Sequence, residues 1–333
     1  MPLQAREPVP LADGSATREG ASLHPDVLSV QQLVDAVGEP GSEATDVIPG
    51  VAPFDFCWTE AIAGCPIVWR ADQVWAEPCL DDLHDLSRLQ TASESPWLTL
   101  LGEWTRLLAK RAEGRYPASP PLLRGPIDIA AAAVGDERLC WAMIDEPDTF
   151  RQLLAACTDV FLVSAQTWSA AKPLFHGGSC IYDVWAPGTT IRTQADNAAL
   201  LSPRLYREFL LPCDERICAA FDYPLIHTHS AVLHIMVDAI VDLPALRGVQ
   251  VSLDYPGGPS LVDLLPLLRQ LNECKPLVIT GPVTQEELDT LLASLSPRGL
   301  CLEVKLREDG TGHAEPGAGG RHLSPARAGG RGY

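Results

Sequence analysis

The stretch LIHTH, residues 225–229, alternates apolar and polar side chains and sets the pattern on which the fold prediction rests. Side chains of a β-strand point to opposite faces at successive residues, so this stretch has an apolar face and a face that carries both histidines. The same alternation recurs in TIRTQAD at 190–196, VQVSLD at 249–254, LVIT at 277–280 and LCLEV at 300–304. We therefore predict five strands, each with one apolar and one polar face.

Helical stretches separate the last four of these strands. Residues 231–243, 261–274 and 284–295 carry apolar side chains at helical spacing, and strand follows strand about every 25 residues. Strand, helix and strand at this pitch are typical of βαβ units with a parallel sheet. Strands of an open sheet covered on both faces read as continuous apolar runs, whereas one face here stays polar. We predict an α/β fold, a (β/α)8 TIM-type barrel, with polar side chains at the carboxyl ends of its strands.

The N-terminal half supplies fewer strands than such a barrel requires. Two further stretches are predicted as strands, IVW at 67–69 and LLRGPI at 122–127. Residues 1–50 show no strand pattern, so the barrel is predicted to lack part of its N-terminal region. Four helices are predicted before these C-terminal strands, at 54–63, 97–111, 129–134 and 147–170. Residues 175–185 are predicted to be irregular, with a loop at Gly177 and Gly178.

Composition and charge restrict the class of protein. The 333 residues are 46% hydrophobic and 20% charged, as in a globular enzyme, and carry a net charge of −18. This charge argues against nucleic acid and an anionic membrane as partners, because both attract basic surfaces. No signal peptide pattern is present, and no stretch approaches the roughly 20 apolar residues of a spanning helix. The 10 cysteines form no CxxC pair and suggest reduced thiols, so we expect a cytoplasmic enzyme.

Three regions are predicted from periodicity and composition. Residues 1–45 show little periodicity and are predicted to be a poorly ordered leader. Residues 46–308 contain the strand and helix patterns and are predicted to be the barrel domain. Residues 309–333 are rich in glycine and have too few apolar side chains to offset the entropy of ordering, so we expect a disordered tail.

Short motifs follow one another in a characteristic order along residues 54–304. They are GP at 125–126 with an alanine-rich stretch after it, DEP at 145–147, QAD at 194–196, LSP at 201–203, IHTHS at 226–230, GPVT at 281–284 and GL at 299–300. In their order and spacing the chain resembles the uroporphyrinogen decarboxylase family, whose superfamily includes the corrinoid- and cobalamin-dependent methyltransferases. The resemblance implies a barrel enzyme, either a methyltransferase of the corrinoid-dependent type or a carboxy-lyase.

The methyltransferase branch implies a zinc site. At the positions that match its ligands this chain has His227, His229 in place of a cysteine, and Cys301 on the last strand. Zinc held there would lower the pKa of a substrate thiol, which would then accept a methyl group from a corrinoid. The branch therefore implies zinc as cofactor, a corrinoid as methyl donor and a corrinoid protein as a partner. From the residues alone, the two histidines could equally bind substrate without a metal, or bond only within the barrel.

Other polar residues of the same strand faces are candidates for catalysis and substrate binding. Asp196 and Asp254 stand at strand ends, where a carboxylate can act as acid or base, orient a histidine, or cap a helix. Arg192 is expected to bind a substrate carboxylate or to pair with Asp196 or Glu303, because an unpaired buried cation is costly. Glu303 shares its face with Cys301 and is a third candidate catalytic carboxylate. Three more side chains are predicted to bind substrate: Gln194, Gln250 and Ser252.

Three hypotheses for the function follow. The first is zinc-assisted methyl transfer between a corrinoid and a small acceptor. The second is metal-independent decarboxylation of a tetrapyrrole carboxylate, with Arg192 as anchor and an aspartate as charge stabiliser; IVWRAD at 67–72 is all that corresponds to the family's arginine-rich loop. The third is an inactive binding protein or an incomplete copy, suggested by the missing N-terminal strand. The expected ligand is a small molecule, a tetrapyrrole or a corrinoid.

Overall fold

The computed structural model describes residues 11–13, 20–38, 50, 56–70 and 73–307. These residues fall into two compact units, of which the first ends at Ile191 and the second begins at Arg192.

The first unit is mainly helical. Its helices are α1 (Val30–Ala36), α2 (Trp58–Ile62), α3 (Ser87–Gln90), α4 (Pro96–Ala112), α5 (Pro126–Val134), α6 (Asp136–Asp145) and α7 (Pro147–Ala170). Its strands are β1 (Ser22–Leu23), β2 (Ile67–Arg70), β3 (Gln73–Ala76), β4 (Gly178–Ile181) and β5 (Val184–Pro187). Strand β2 pairs antiparallel with both β1 and β3, and β4 pairs antiparallel with β5.

The core of this unit forms around α7, whose first residue is a proline. Proline suits that position because its missing N–H would have no partner in the first turn. Phe150, Phe161 and Trp168 on α7 are fully buried, and α4 presents the buried Leu101 and Trp104. Apolar side chains at this helical spacing explain why both helices could be predicted from the sequence.

The second unit is built on a sheet in the order β10-β9-β8-β7-β6. Its strands are β6 (Thr190–Gln194), which begins at the end of the first unit, β7 (Tyr223–His229), β8 (Gly248–Ser252), β9 (Leu277–Val283) and β10 (Leu300–Leu306). Its helices are α8 (Pro203–Leu205), α9 (Leu211–Ala219), α10 (Leu233–Ile240), α11 (Leu261–Cys274) and α12 (Gln285–Ser294). Strands β7 to β10 are parallel, so the α/β class and the parallel sheet are confirmed.

The register of the parallel strands places polar residues in two rows across the sheet. One row runs through His227, Gln250, Val278 and Cys301, and the next through His229, Ser252, Thr280 and Glu303. Residues two apart on a strand lie on the same face, so both rows belong to one face. The residues that alternate with them, such as Val249, Val251 and Ile279, are fully buried on the other face.

Several predictions for the N-terminal half need correction. Residues 122–127 do not form a strand, because Pro126 begins α5. Residues 67–69 do form a strand, β2, but it is antiparallel. The residues predicted as an irregular loop around Gly177 and Gly178 lead into the hairpin of β4 and β5. Helix α6 was not predicted. Closure of an eight-stranded barrel is not shown by strand pairing in the described ranges and remains a prediction.

The described residues include part of the predicted leader and none of the predicted tail. Within the predicted leader 1–45, residues 20–38 contain β1 and α1, and Ser22 pairs with Val68. The leader is therefore folded over these residues. The predicted tail 309–333 lies outside the described residues. None of the helices in the described ranges is long and apolar enough to cross a membrane.

Candidate active site

Gln250, on β8, joins a charged and a titratable side chain through one oxygen. Its Oε1 accepts a hydrogen bond from Arg192 Nη1 at 2.8 Å and another from His227 Nδ1 at 2.9 Å. All three side chains are buried. The predicted substrate-binding residues Arg192 and Gln250 thus meet one of the predicted metal ligands in a single network.

This network holds His227 in its neutral form. Because an amide oxygen only accepts, the hydrogen lies on Nδ1 and the lone pair of the ring lies on Nε2. Burial, the charge of Arg192 and the charge of His229 lower the pKa of His227 well below its usual range, and the bond to Gln250 only partly opposes them. His227 is therefore neutral near pH 7, and its Nε2 can accept a hydrogen bond.

Gln194 extends the network to a carboxylate. Its Oε1 accepts from Arg192 Nη2 at 3.2 Å, while its Nε2 donates to Asp196 Oδ2 at 3.1 Å. The amide therefore fixes the orientation of both partners. Arg192 and Asp196 were predicted to lie on one strand face with Gln194; hydrogen bonds join the three side chains, although β6 ends at Gln194 and Asp196 follows it.

His229 lies between two carboxylates. Its Nδ1 is 2.5 Å from Asp254 Oδ1, and its Nε2 is 3.9 Å from Asp196 Oδ1. Burial acts to lower the pKa of His229, but the hydrogen bond with Asp254 and the charges of Asp254 and Asp196 outweigh it and raise the pKa. These contacts favour the imidazolium form of His229, whose side chain is 21% exposed.

Asp254 is held in place from the end of β7. Its Oδ2 accepts from Ser230 Oγ at 3.1 Å and from the Ala231 N–H at 3.0 Å, and its own N–H donates to Ser230 Oγ at 2.9 Å. Although burial opposes it, these bonds and the one from His229 lower the pKa of Asp254. Sequence reasoning missed Ser230 as a site residue; its position directly after the two histidines, at the end of a strand, was the available signal.

The backbone at Gly258 packs closely against Asp254 and Ser230. A Cβ atom at Gly258 would lie 2.6 Å from the Asp254 carbonyl oxygen and 3.0 Å from Ser230 Oγ. Only glycine fits at this distance, so the loop after β8 can pass directly beside the carboxylate that orients His229.

The two histidines form a pair with opposite protonation preferences. Their ring centroids are 5.2 Å apart and their planes are nearly perpendicular, at 89°. His227, whose pKa is lowered, is buried, whereas the side chain of His229, whose pKa is raised, is 21% exposed. Neighbouring groups whose environments move their pKa values apart are suited to act as base and acid in one reaction.

The remaining predicted site residues take different positions. Ser252 lies between His229 and Thr280 in the second cross-strand row, and its carbonyl accepts from the Ser230 N–H at 2.8 Å. Glu303 ends that row on β10, opposite Thr280. Both lie on the predicted face, but the hydrogen-bonded network is centred on β6, β7 and β8.

Zinc binding by His227, His229 and Cys301 stays a prediction, because the described residues show no grouping of these ligands. Cys301 shares a cross-strand row with His227 but lies three strands away, on β10. Over the described ranges, no three His, Cys, Asp or Glu side chains are grouped so that they could hold a metal ion. A structural or catalytic zinc site needs at least three protein ligands.

Comparison with known proteins agrees with this architecture. The family model for uroporphyrinogen decarboxylase (URO-D) matches residues 50–254, which is more than half of the chain. No curated protein matches the sequence. Among solved structures, a methyltransferase from Methanosarcina mazei is similar with a TM-score of 0.58 over 91% of this chain and 92% of that chain. At 16% identity this likeness shows a shared fold alone. On the family match, the chain belongs to the uroporphyrinogen decarboxylase family of enzymes.

Proposed function

We propose that this chain is a metal-independent decarboxylase of a small or tetrapyrrole carboxylate, with His229 as the proton donor. The observation that carries the proposal is the placement of His229 between Asp254 and Asp196, beside a neutral His227. An imidazolium fixed in this way can deliver a proton at neutral pH.

The reaction needs negative charge to move from a carboxylate to a carbon atom. As the carbon–carbon bond breaks, carbon dioxide leaves, and the two electrons of that bond remain on the substrate carbon. The proton on His229 Nε2 is transferred to that carbon, and the imidazole then regains a proton from solvent. Positive charge fixed before the reaction stabilises the developing carbanion without reorganisation.

The other residues bind and orient the substrate. Arg192 supplies a buried positive charge whose bonds to Gln250 and Gln194 hold the guanidinium in one orientation, suited to a substrate carboxylate. The Nε2 lone pair of His227 accepts a hydrogen bond from a substrate N–H or O–H group. Asp254 keeps the His229 ring oriented and charged, as carboxylate partners of catalytic histidines do.

The test is carbon dioxide release in deuterated water. Uroporphyrinogen and smaller carboxylated pyrroles are incubated under reducing, anaerobic conditions, and the product is analysed for deuterium at the carbon that lost its carboxylate. We expect His229→Gln to lower the rate about 100-fold or more. His234→Gln, which changes an exposed histidine of α10, should leave the rate unchanged. Release of no carbon dioxide from any of these substrates contradicts the proposal.

Methyl transfer is a second candidate, favoured by the neutral state of His227. A neutral imidazole can take a proton from the thiol, alcohol or amine that accepts a methyl group. The fold likeness to a methyltransferase is compatible with this reaction. The test uses methylcobalamin as methyl donor with small thiols, and follows the change in corrinoid absorbance. Zinc in equimolar amount in the purified protein, with activity lost in chelator, would favour zinc-assisted methyl transfer over decarboxylation.

A further inference from the structure

Two cysteines of the first unit meet at the base of a hairpin. Cys65 Sγ lies 3.6 Å from Cys79 Sγ, and the two residues are 14 positions apart in the sequence. Cys65 comes just before β2 and Cys79 just after β3, and between them the Glu77 N–H donates to the Pro66 carbonyl at 2.8 Å. Both thiols therefore lie at the same end of the hairpin, where β2 begins and β3 ends.

The backbone fixes both cysteines. The Cys65 N–H donates to the Glu60 carbonyl at 3.0 Å, and the Cys79 N–H donates to the Ala133 carbonyl at 3.0 Å. A disulfide bond requires the sulfur atoms to be about 2.05 Å apart, so they must approach by about 1.5 Å.

The two thiols differ in the way that a reactive and a resolving cysteine differ. Cys79 is half-buried and reachable from solvent, whereas Cys65 is 3% exposed. The Cys65 S–H donates to Cys79 Sγ, which lowers the pKa of Cys79; burial of Cys79 opposes the shift and the charge of Arg88 adds to it. A thiolate that is accessible and stands beside a second thiol is the usual target of peroxide oxidation.

We propose that Cys65 and Cys79 are a reversible redox site that forms a disulfide when the protein meets hydrogen peroxide. The Cys79 thiolate attacks one peroxide oxygen, the O–O bond breaks, and a sulfenic acid forms with release of one water after protonation. Cys65 sulfur then attacks Cys79 sulfur, and the S–O bond breaks. The sulfenic oxygen leaves as a second water with the Cys65 proton. Two thiols and one peroxide thus give one disulfide and two waters.

The disulfide would staple the hairpin of β2 and β3. It closes a loop of the unfolded chain between residues 65 and 79, and such closure stabilises the folded state. We expect the thermal midpoint Tm of the oxidised protein to exceed that of the reduced protein by about 5 °C, and reduction with dithiothreitol to reverse the change.

The experiment maps thiols in the full chain. The reduced protein is treated with hydrogen peroxide, digested without reduction and analysed by mass spectrometry. We expect one cross-linked peptide pair containing Cys65 and Cys79, lighter by two hydrogen atoms, that separates with dithiothreitol. Cys274→Ser is the control, because it removes an exposed thiol in α11, and it should leave the cross-link unchanged.

Single variants separate the two roles. In Cys65→Ser the sulfenic acid on Cys79 has no resolving thiol, so dimedone should trap it there. In Cys79→Ser, Cys65 should stay a thiol in peroxide. Two thiols that both remain reduced in the wild-type chain, or a Cys79 oxidised to sulfinic acid while Cys65 stays reduced, would overturn the proposal. The wild-type measurement stands on its own should Cys65→Ser, which alters a buried residue, fail to fold.

Discussion

The Nδ1 atom of His229 lies 2.5 Å from Oδ1 of Asp254, so the ends of two neighbouring parallel strands are joined by a charge-assisted hydrogen bond. Strands β7 and β8 place the two residues close together, and Ser230 and Ala231 hold the carboxylate in place. The orientation and the charge of His229 both depend on this carboxylate.

Replacement of the Asp254 carboxylate by an amide should lower the pKa of His229. In Asp254→Asn the charge that raises the pKa of His229 is lost, so less of the imidazole is protonated at neutral pH. We expect kcat to fall about 100-fold or more, and the pKa of His229, followed by nuclear magnetic resonance, to fall as well. Asp238→Asn, at an exposed position of α10, serves as control. An unchanged His229 titration in Asp254→Asn would contradict this account.

The rate should depend on pH through both histidines. His227 has a lowered pKa and must be neutral, so the rate should rise as pH increases through that pKa. His229 has a raised pKa and must be protonated, so the rate should fall as pH increases through that higher pKa. We therefore expect kcat/KM to form a bell whose plateau includes pH values near 6.5, the ordinary histidine pKa. A kcat/KM with its minimum near pH 6.5 would show that the assigned protonation states are wrong.

The double acceptor Gln250 should be sensitive to an apolar substitution. In Gln250→Leu, Arg192 Nη1 and His227 Nδ1 lose their shared acceptor inside the protein. Leaving the buried Nδ1 donor of His227 without its acceptor costs about 1–3 kcal/mol, so we expect the free energy of unfolding to fall by about 2 kcal/mol. Urea unfolding measures this quantity. Gln270→Leu removes only an exposed bond to Asp238 and should change it by less than about 0.5 kcal/mol.

A second buried carboxyl should make stability depend on pH. Tyr206 Oη donates to Asp214 Oδ2 at 2.5 Å, and both side chains are buried. Burial raises the pKa of Asp214 to about 7, although the bond from Tyr206 opposes it and the charge of Glu215 adds to it. The folded state therefore binds a proton that the unfolded state releases near pH 4. This contribution is complete below that pH and is lost as pH rises through about 7.

The Asp214→Asn variant tests this linkage. Its free energy of unfolding should vary less between pH 5 and about pH 8 than that of the wild-type protein, by as much as about 3 kcal/mol. Asp242→Asn, at an exposed position after α10, should keep the wild-type dependence. Equal pH dependence in the wild type and Asp214→Asn would show that Asp214 carries its charge throughout this range.

The strands and helices from residue 190 to residue 306 could be predicted because their periodicities are strong. Helix α11 begins at Leu261 and ends at Cys274, as the apolar spacing indicates, and its N-terminus is capped by Ser260. The hairpin of β4 and β5 was missed, because Gly177-Gly178 was interpreted as a loop. Glycine at 178 instead allows close strand approach, since a Cβ there would collide with the Ala186 carbonyl and the Trp185 ring.

For the site, too, the features that depend on alternation within one strand could be predicted, and the contacts between strands could not. Alternation within a strand showed which side chains share a face, and the register confirms that His227, Gln250 and Cys301 do. Alternation gives no distance between strands, so it could not show that Cys301 lies three strands from His227. Nor could it show that Gln250 bonds to His227 or that Ser230 holds Asp254, because these contacts depend on how different parts of the chain meet.

Arg192 and His227 share the Oε1 atom of Gln250, so the charge of a ligand at Arg192 affects the basicity of His227. An anionic ligand drawn to Arg192 would offset the positive charge that disfavours a proton on His227. The imidazole would then become a stronger base only once a negatively charged group had arrived. The Nε2 atom of His227, still without a proton, would thus accept a stronger hydrogen bond from a ligand N–H or O–H group.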